Sequence, residues 1–244
     1  MGTLATVRDS FLRDSGRFDL GTVGGEDNGA DWFINSAQRY LDRLQETPMS
    51  FRRFQSDYDR GEGNFVIQDL IAPKKITIEN DFGKSKLYHK EYDELVEIYD
   101  PEQEIQYGPP LYYDFAIAGL SPELSDLGYH NYAEQFTRQS TDVKFGNFWK
   151  TKTLVIRPVP DVSGTLILYG RFYSPILRED EDRSYWTEEA EQALVFASLY
   201  MLEASMRNRD ASQYWHSLLG NELNVIDNEL IWRDTYDKPI RRLG

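Results

Sequence analysis

Apolar residues near the start of the chain recur at helical spacing. Leu4, Val7 and Phe11 lie three and four residues apart and therefore share one helix face. Thr3 precedes them and belongs to the residue types that cap helix N-termini. Gly16 follows, and glycine commonly ends helices. The pattern predicts a first helix between these two residues and a glycine-rich linker over 16–29.

A second helix is predicted from about Asp31, and Pro48 stops it. Its buried stripe is formed by apolar residues at helical spacing: Phe33, Ala37, Tyr40, Leu41 and Leu44. The polar residues between them are expected to face solvent or partners: Asp31, Gln38, Arg39, Asp42 and Arg43.

The last third of the chain is again helical in pattern. Thr187 is predicted to cap a helix, because three glutamates follow it closely and the helix dipole favours negative charge there. The apolar stripe of this helix is Ala190, Leu194, Ala197, Met201 and Ala204. Asp210 and Gln213 have the spacing of a capping pair for one more helix. Its apolar face is Trp215, Leu219, Leu223, Ile226 and Leu230.

The middle of the chain has the pattern of strands. Residues 65–67 form an apolar run, residues 76–78 alternate as in a half-buried strand, and 91–99 fit a short helix. Strands are also predicted over 153–157 and 165–169, and the prolines and glycine between them predict an antiparallel hairpin. Residues 121–147 are predicted to form a long surface loop.

The resulting fold class is α+β: a four-helix bundle formed by N- and C-terminal helix pairs, with a large, mostly antiparallel β insert between them. The predicted domains are the N-terminal helix pair (1–48), the β-rich insert (49–183), the C-terminal helix pair (184–232) and a C-terminal extension (233–244). Such a bundle requires the two ends of the insert to return close together.

Charge and composition narrow the function classes. The chain of 244 residues has 27 Lys and Arg against 41 Asp and Glu, a formal net charge of −14. This balance excludes nucleic-acid binding through a broad basic surface. The chain has no cysteine, which excludes disulfides, Cys-ligated zinc and a thiol nucleophile. Without a long apolar stretch or the apolar core of a signal peptide, it is expected to be soluble and made in the cytoplasm.

Candidate catalytic residues are sparse. His89, His130 and His216 are far apart in sequence and form no zinc-hydrolase motif, and His216 is interpreted as a surface or inter-helix residue. Ser85 and Ser217 lie near histidines but lack the strand–turn–helix context of a nucleophile elbow. We therefore expect no catalytic residue, no metal and no cofactor.

Paired acids and aromatic residues leave an alternative open. The Asp57-Tyr58-Asp59 run and the acids at 179–182 fit the carboxylate pair of a glycosidase, although solvated surface is the favoured interpretation. The aromatic runs at 112–115, 145–149 and 172–173 are either anchors of protein contacts or core of the insert. The alternative function is a carbohydrate-binding or glycoside-hydrolysing domain.

Several segments, taken in order, resemble the head-to-tail adaptor proteins of tailed bacteriophages. Leu4–Arg8 with Gly16–Asp19 is similar to the first helix of that family and its exit, and Asp31–Tyr40 to its W-I-N-x-A-x-R helix. Further similarity lies in Gly108–Tyr113, in the Pro-x-Pro hairpin of 156–160 with 165–170, and in Trp186 with the helix after it. The insertion at 121–147 departs from the family pattern.

The resemblance implies a non-enzymatic virion protein in the neck. Such proteins assemble, typically as a dodecameric ring, under the portal, extend the DNA channel and receive the next tail or nozzle protein. DNA passes through without sequence-specific binding, and no membrane, metal or cofactor is involved. A tail protein bound farther from the portal has the same physical properties. In this context, the carbohydrate-binding or glycoside-hydrolysing alternative is a domain of a tail-associated protein. The resemblance implies portal binding by the C-terminal extension, with these candidate residues: Trp232, Tyr236, Lys238, Pro239, Ile240, Arg241 and Arg242.

Overall fold

A computed structural model describes residues 2–21, 28–99, 106–116 and 151–236. The predicted loop at 121–147 lies outside these ranges. The chain divides into two compact units, a helical unit (Met1–Ser50 with Tyr173–Gly244) and a β unit (Phe51–Phe172). The fold class is α+β, as predicted.

The described helices lie where the apolar pattern predicts them, but Leu44, predicted to be in the buried stripe of the second helix, is 51 % exposed at its end. They are α1 (Leu4–Ser15), α2 (Ala30–Leu44), α3 (Tyr92–Ile98), α4 (Tyr185–Glu188), α5 (Glu191–Ser205) and α6 (Arg209–Tyr236). Short 3₁₀ turns cover Phe18–Leu20 and Pro48–Ser50. Thr3 caps α1, and its backbone N–H donates to Thr6 Oγ1 at 2.9 Å. Gly16 ends α1 in the left-handed conformation, with φ of 66°.

The helices of the helical unit pack around α5, and no clear four-helix bundle of two helix pairs forms. α1, α2 and α6 each contact α5. Residues on most sides of α5 are buried, including Val195, Ser198 and Leu199 as well as Leu194 and Leu202. A helix that is apolar all round becomes the centre of its neighbours, whereas a bundle needs four one-sided stripes. The predicted pairing of helices therefore requires this correction.

The start of the C-terminal helices also differs from the prediction. Ser184, and not Thr187, is the N-cap, and it begins the short helix α4. The Thr187 backbone N–H donates to Ser184 Oγ, and the Ser184 backbone N–H donates to Thr187 Oγ1 at 2.9 Å. Thr187 is thus the returning partner in a capping box, fully buried, and α5 begins only after Ala190.

The polar side of α2 is largely buried, contrary to the expectation that it faces solvent or partners. Asn35 Oδ1 and Nδ2 bind the backbone N–H and C=O of Leu177 at 2.8 and 2.9 Å, and Gln38 donates to the carbonyl of Pro175 at 2.7 Å. The carboxylate of Asp42 is 1 % exposed. It accepts from the backbone N–H and the hydroxyl of Ser174 at 2.7 and 2.9 Å and from the indole N–H of Trp186 at 2.8 Å.

Arg8 extends this polar set to α1. Its guanidinium donates to both oxygens of Asp31 at 2.7 and 2.8 Å and to Asp180 at 2.6 Å. Only 11 % of the Arg8 side chain and 13 % of the Asp31 side chain are exposed. These bonds raise the pKa of the Arg8 guanidinium, because hydrogen bonds to a carboxylate favour its charged form.

The β unit contains two sheets that share one core. The strands are β1 (Phe51–Tyr58), β2 (Asn64–Gln68), β3 (Leu70–Asn80), β4 (Gly83–Lys86), β5 (Tyr88–His89), β6 (Tyr112–Ala116), β7 (Thr151–Arg157) and β8 (Gly164–Phe172). The first sheet has the order β1-β8-β3-β4, and the second has the order β2-β7-β6-β5. Ile67, Leu154 and Ile156 of the second sheet join Ile76 and Leu168 of the first in one apolar cluster.

The predicted hairpin of residues 153–157 and 165–169 is wrong. The two segments are strands, β7 and β8, but they lie in different sheets. Both edges of each strand already have other partners, because β7 lies between β2 and β6 and β8 lies between β1 and β3. The connection binds other loops: Val159 accepts from Gly108 N–H and Pro160 from Gly61 N–H, both at 2.9 Å.

We expect Asp42→Ala to lower the free energy of unfolding of the helical unit by about 3 kcal/mol. The substitution leaves two donors of the half-buried Ser174 and the buried indole N–H of Trp186 without their acceptor, and such groups are costly. Urea denaturation followed by far-ultraviolet circular dichroism measures the change. Arg43→Ala is the matched control, since Arg43 is exposed on the same helix and its removal costs under about 0.5 kcal/mol. Equal midpoints for the two variants would contradict the role of Asp42.

Candidate functional site

The last helix offers a candidate interaction surface. α6 has 28 residues, which corresponds to a length of about 42 Å. Leu219 and Ile226 are buried against α5, and the rings of Trp215 and Phe196 of α5 lie 5.8 Å apart. The predicted positions 215, 219, 223 and 226 therefore do form the packing face of this helix.

Apolar side chains are also exposed on α6, away from that packing face. Tyr214 is 58 % exposed and Val225 is 53 % exposed. The loop before α6 exposes Met206 at 53 %. His216 is exposed as well, and its ring lies 5.2 Å from Tyr200 of α5. Side chains of this kind are available for a partner, because the helix does not use them for its own packing.

The predicted portal-binding residues lie at or beyond the end of α6. Trp232 and Tyr236 are within the helix, which continues to Tyr236, and their spacing of four residues places them on one helix face. The other predicted residues lie outside the described part of the chain: Lys238, Pro239, Ile240, Arg241 and Arg242. Their basic charges lie close together in the sequence, and their role in portal binding stays a prediction.

Two exposed aromatic side chains of the helical unit were not predicted from the sequence. Trp32 on α2 is 62 % exposed and Phe18 after α1 is 70 % exposed. The Trp32 ring contacts Phe33 edge-on, with centroids 4.9 Å apart, and Phe33 stacks on Phe11 at 6.1 Å. The available signal was the position of Trp32, which lies beside the apolar stripe of its helix and not within it.

The candidate carboxylates have structural contacts. Asp57 accepts from the hydroxyl of Thr165 at 2.8 Å, and Tyr58, between the two paired acids, belongs to the buried core. Asp180 binds Arg8. Asp182 accepts from the backbone N–H groups of Arg178 and Glu179 at 2.7 and 3.0 Å.

Those backbone hydrogen bonds lower the pKa of Asp182 below its usual value. A carboxyl with a lowered pKa is a poor proton donor near neutral pH, whereas a glycosidase requires an acid with a raised pKa. The hydrogen bonds that Asp182 accepts from Arg178 and Glu179 therefore fit a structural role in this turn.

The remaining candidates occupy separate places. His89 Nε2 lies 3.1 Å from Asp114 Oδ1, and the ring packs edge-on against Tyr113 at 5.5 Å. Ser85 is exposed on β4, and His130 lies outside the described residues. Within the described ranges, no group of three or more His, Cys, Asp or Glu side chains has a metal-binding arrangement.

The aromatic runs serve different purposes. Phe172 is 7 % exposed and belongs to the core of the β unit, and Tyr113 and Phe115 are partly buried against that core. Tyr112 has the opposite parity on β6 and faces the other side of the sheet. The run at 145–149 lies outside the described residues.

Comparison of the chain with protein-family models finds no match. Comparison with curated proteins finds none either. No helix in the described part of the chain is both long and apolar enough to span a membrane. What the chain does is therefore inferred from its own residues and contacts.

The pH dependence of the turn around Asp182 is testable. Because its pKa is lowered in the folded protein, Asp182 stabilises the fold above its unfolded pKa, and this contribution disappears as pH falls through the folded value. We expect the thermal midpoint of Asp182→Asn to fall less steeply than that of the original protein below about pH 4. Glu181→Gln, at the exposed neighbouring position, is the control. Parallel pH profiles for the Asp182 variant and the original protein would contradict this role.

Proposed function

We propose that the chain is the head-to-tail adaptor subunit of a tailed bacteriophage, assembled as a ring under the portal in the neck of the virion. The ring extends the DNA channel and provides the attachment site for the next tail or nozzle protein. The observation that carries the proposal is α6: it packs along one face on α5 and exposes Tyr214 and Val225 elsewhere. Such a helix is anchored by its packing against α5 and leaves exposed side chains along its length for a partner.

The end of α6 and the residues after it fit a portal contact. Trp232 and Tyr236 share a helix face, and aromatic residues are frequent anchors of protein interfaces. Lys238, Arg241 and Arg242 follow at once, and they are concentrated basic charge in a chain of net charge −14. A short basic segment of this type fits an acidic or apolar groove on a partner.

The overall charge fits a channel for DNA. A strongly acidic chain repels the phosphate backbone, so that DNA moves through the ring without adhering. Identical subunits joined head to tail form a closed ring when the rotation between them closes. The proposed partners are other copies of the chain, the portal and the next tail protein, in a virion whose subunits are made in the host cytoplasm.

Glycoside hydrolysis is less well supported. Asp57 and Asp180 hold neighbouring side chains, and Asp182 holds a turn. None of these contacts prepares a proton donor for a sugar. The non-enzymatic function therefore remains the preferred one.

The C-terminal residues provide the direct test. We expect a chain that ends at Tyr236 to keep its fold and to co-sediment with the portal ring of the same phage about tenfold less than the full chain, a loss equivalent to about 1.4 kcal/mol. Lys238→Gln/Arg241→Gln/Arg242→Gln separates the charges from the length of the segment. Deletion of 233–236 is avoided, because these residues belong to α6.

Electron microscopy of the full chain mixed with that portal shows whether a ring forms beneath it. Unchanged co-sedimentation of the truncated chain would reject the portal contact of the tail. The absence of a ring with the full chain would reject the proposed function itself.

A further inference from the structure

The first sheet of the β unit has a basic outer face. Leu166, Leu168 and Phe172 of β8 point into the core, so the alternate residues Tyr169 and Arg171 point away from it. We define the basic face as Arg53, Lys75, Lys86 and Arg171 with Tyr169. Arg53, Lys75 and Lys86 are exposed, Tyr169 is 41 % exposed and Arg171 is half-buried. Between Lys86 and β1 on the same side of the sheet, Thr77 and Ile167 are buried, so the exposed part of the face is formed by the charged residues and Tyr169.

The strand register brings these residues side by side. Tyr169 is paired with Arg53 on one side and with Lys75 on the other. Arg171 and Lys86 occupy the rows before and after, opposite Phe51 and Thr77 respectively. Neighbouring strands are about 5 Å apart and successive rows are about 7 Å apart, so all four cations lie within one small patch. Lys74 adds a further cation, with its ammonium 4.7 Å from the centre of the Phe51 ring.

The acids on this outer face lie at its far end and already have partners. Glu79 pairs with Lys84 at 3.6 Å, and Asp57 accepts from Thr165. The basic face therefore concentrates positive charge in a chain that is otherwise strongly acidic. Like charges on neighbouring strands repel, and an anionic surface placed against them removes that cost. The arrangement indicates a partner with negative charge.

The same β unit carries a matching acidic surface on its second sheet. α3 contacts β6 of that sheet and has no basic residue of its own. Its Asp93, Glu94 and Glu97 are exposed, and Glu94 also pairs with Lys90, just before the helix, at 3.4 Å. Tyr99, at the end of α3, lies near Tyr112, which points away from the shared core. The basic face and α3 thus lie on the two outer sides of one pair of sheets.

We propose that the basic face of one copy binds α3 of the next copy in a head-to-tail contact. This inference rests on the proposed ring and names the surfaces that join its subunits. A contact between two different surfaces of identical chains is heterologous, and it repeats from copy to copy until the ring closes. Tyr169 is the aromatic centre of the contact, and exposed Ile98 adds apolar area on the other side.

A second copy fits this surface better than a nucleic acid does. A nucleic acid would have to approach a chain of net charge −14, whereas α3 presents three exposed acids to a patch of four cations. A contact between charged surfaces of this kind also steers subunits into one orientation and weakens as salt is added.

The cysteine-free chain allows a direct test by cross-linking. Lys75→Cys and Glu97→Cys variants are mixed with the portal ring and treated with a short bismaleimide. We expect cross-linked dimers containing one chain of each type. Arg13→Cys mixed with Glu97→Cys is the control, because Arg13 is 70 % exposed but belongs to the helical unit. Its yield should be several-fold lower.

Charge reversal gives the second readout. Arg53→Glu/Lys75→Glu should abolish rings under the portal, and adding Glu94→Lys/Glu97→Lys to the same chain should restore them. If rings form without the specific cross-link, or if the charge reversal leaves the rings unaffected, the inference is overturned. The proposed function is intact in both cases. No ring from the original chain would overturn both. Salt-sensitive binding of duplex DNA that is lost in Arg53→Glu/Lys75→Glu, without the cross-link, would assign the face to nucleic acid and also overturn the inference.

Discussion

The polar face of α2 is the constraint on which the helical unit depends. This unit is made from the two ends of the chain. The segment that returns from the β unit, 173–183, has no helix or strand to satisfy its backbone and includes a turn at 179–182. Asn35, Gln38 and Asp42 supply the missing partners for residues 174–177. The returning segment in turn accepts from the first-turn N–H groups of α1 through the carbonyls of Asp180 and Asp182. Hydrogen bonds, in addition to apolar packing, thus determine how the two ends join.

The register of the first sheet makes this joining feasible. The β unit begins at Phe51 and ends at Phe172, and Phe51 is paired directly with Arg171. Antiparallel pairing of the first and last strands brings the entry and the exit of the unit next to each other. The large insert therefore adds little separation between α2 and the returning segment. A helical unit built from both ends of the chain requires the two ends of the insert to lie close together, and this strand pairing meets that requirement.

Apolar periodicity predicted the elements well, because it reports directly which face of a helix is buried. It located α1, α2, α5 and α6 and the packing positions 215, 219 and 226.

Apolar periodicity did not predict which elements lie next to each other. The strands β7 and β8 have the same local pattern in a hairpin as in two separate sheets, and only their neighbours distinguish these cases. The polar stripe with Gln38 and Asp42 resembles a solvated face for the same reason, since spacing alone does not show that a backbone segment covers it. The basic face could not be predicted from the sequence either, because its charges come from four strands and only the strand register brings them together.

The two proposed contacts belong to different units of the chain. The portal contact uses α6 and the residues after it in the helical unit, and the contact between copies uses the two outer sides of the β unit. Each unit has its own apolar core, so a change of surface charge in one leaves the packing of the other in place. The basic charges of the two proposed contacts also differ in the elements that carry them. The basic residues after α6 follow a helix that is anchored by apolar packing, whereas the basic face forms part of a sheet whose strands fix every side chain in register. The proposed contact between copies therefore uses side chains that the sheet holds in register, and the proposed portal contact uses residues at and beyond the end of a helix.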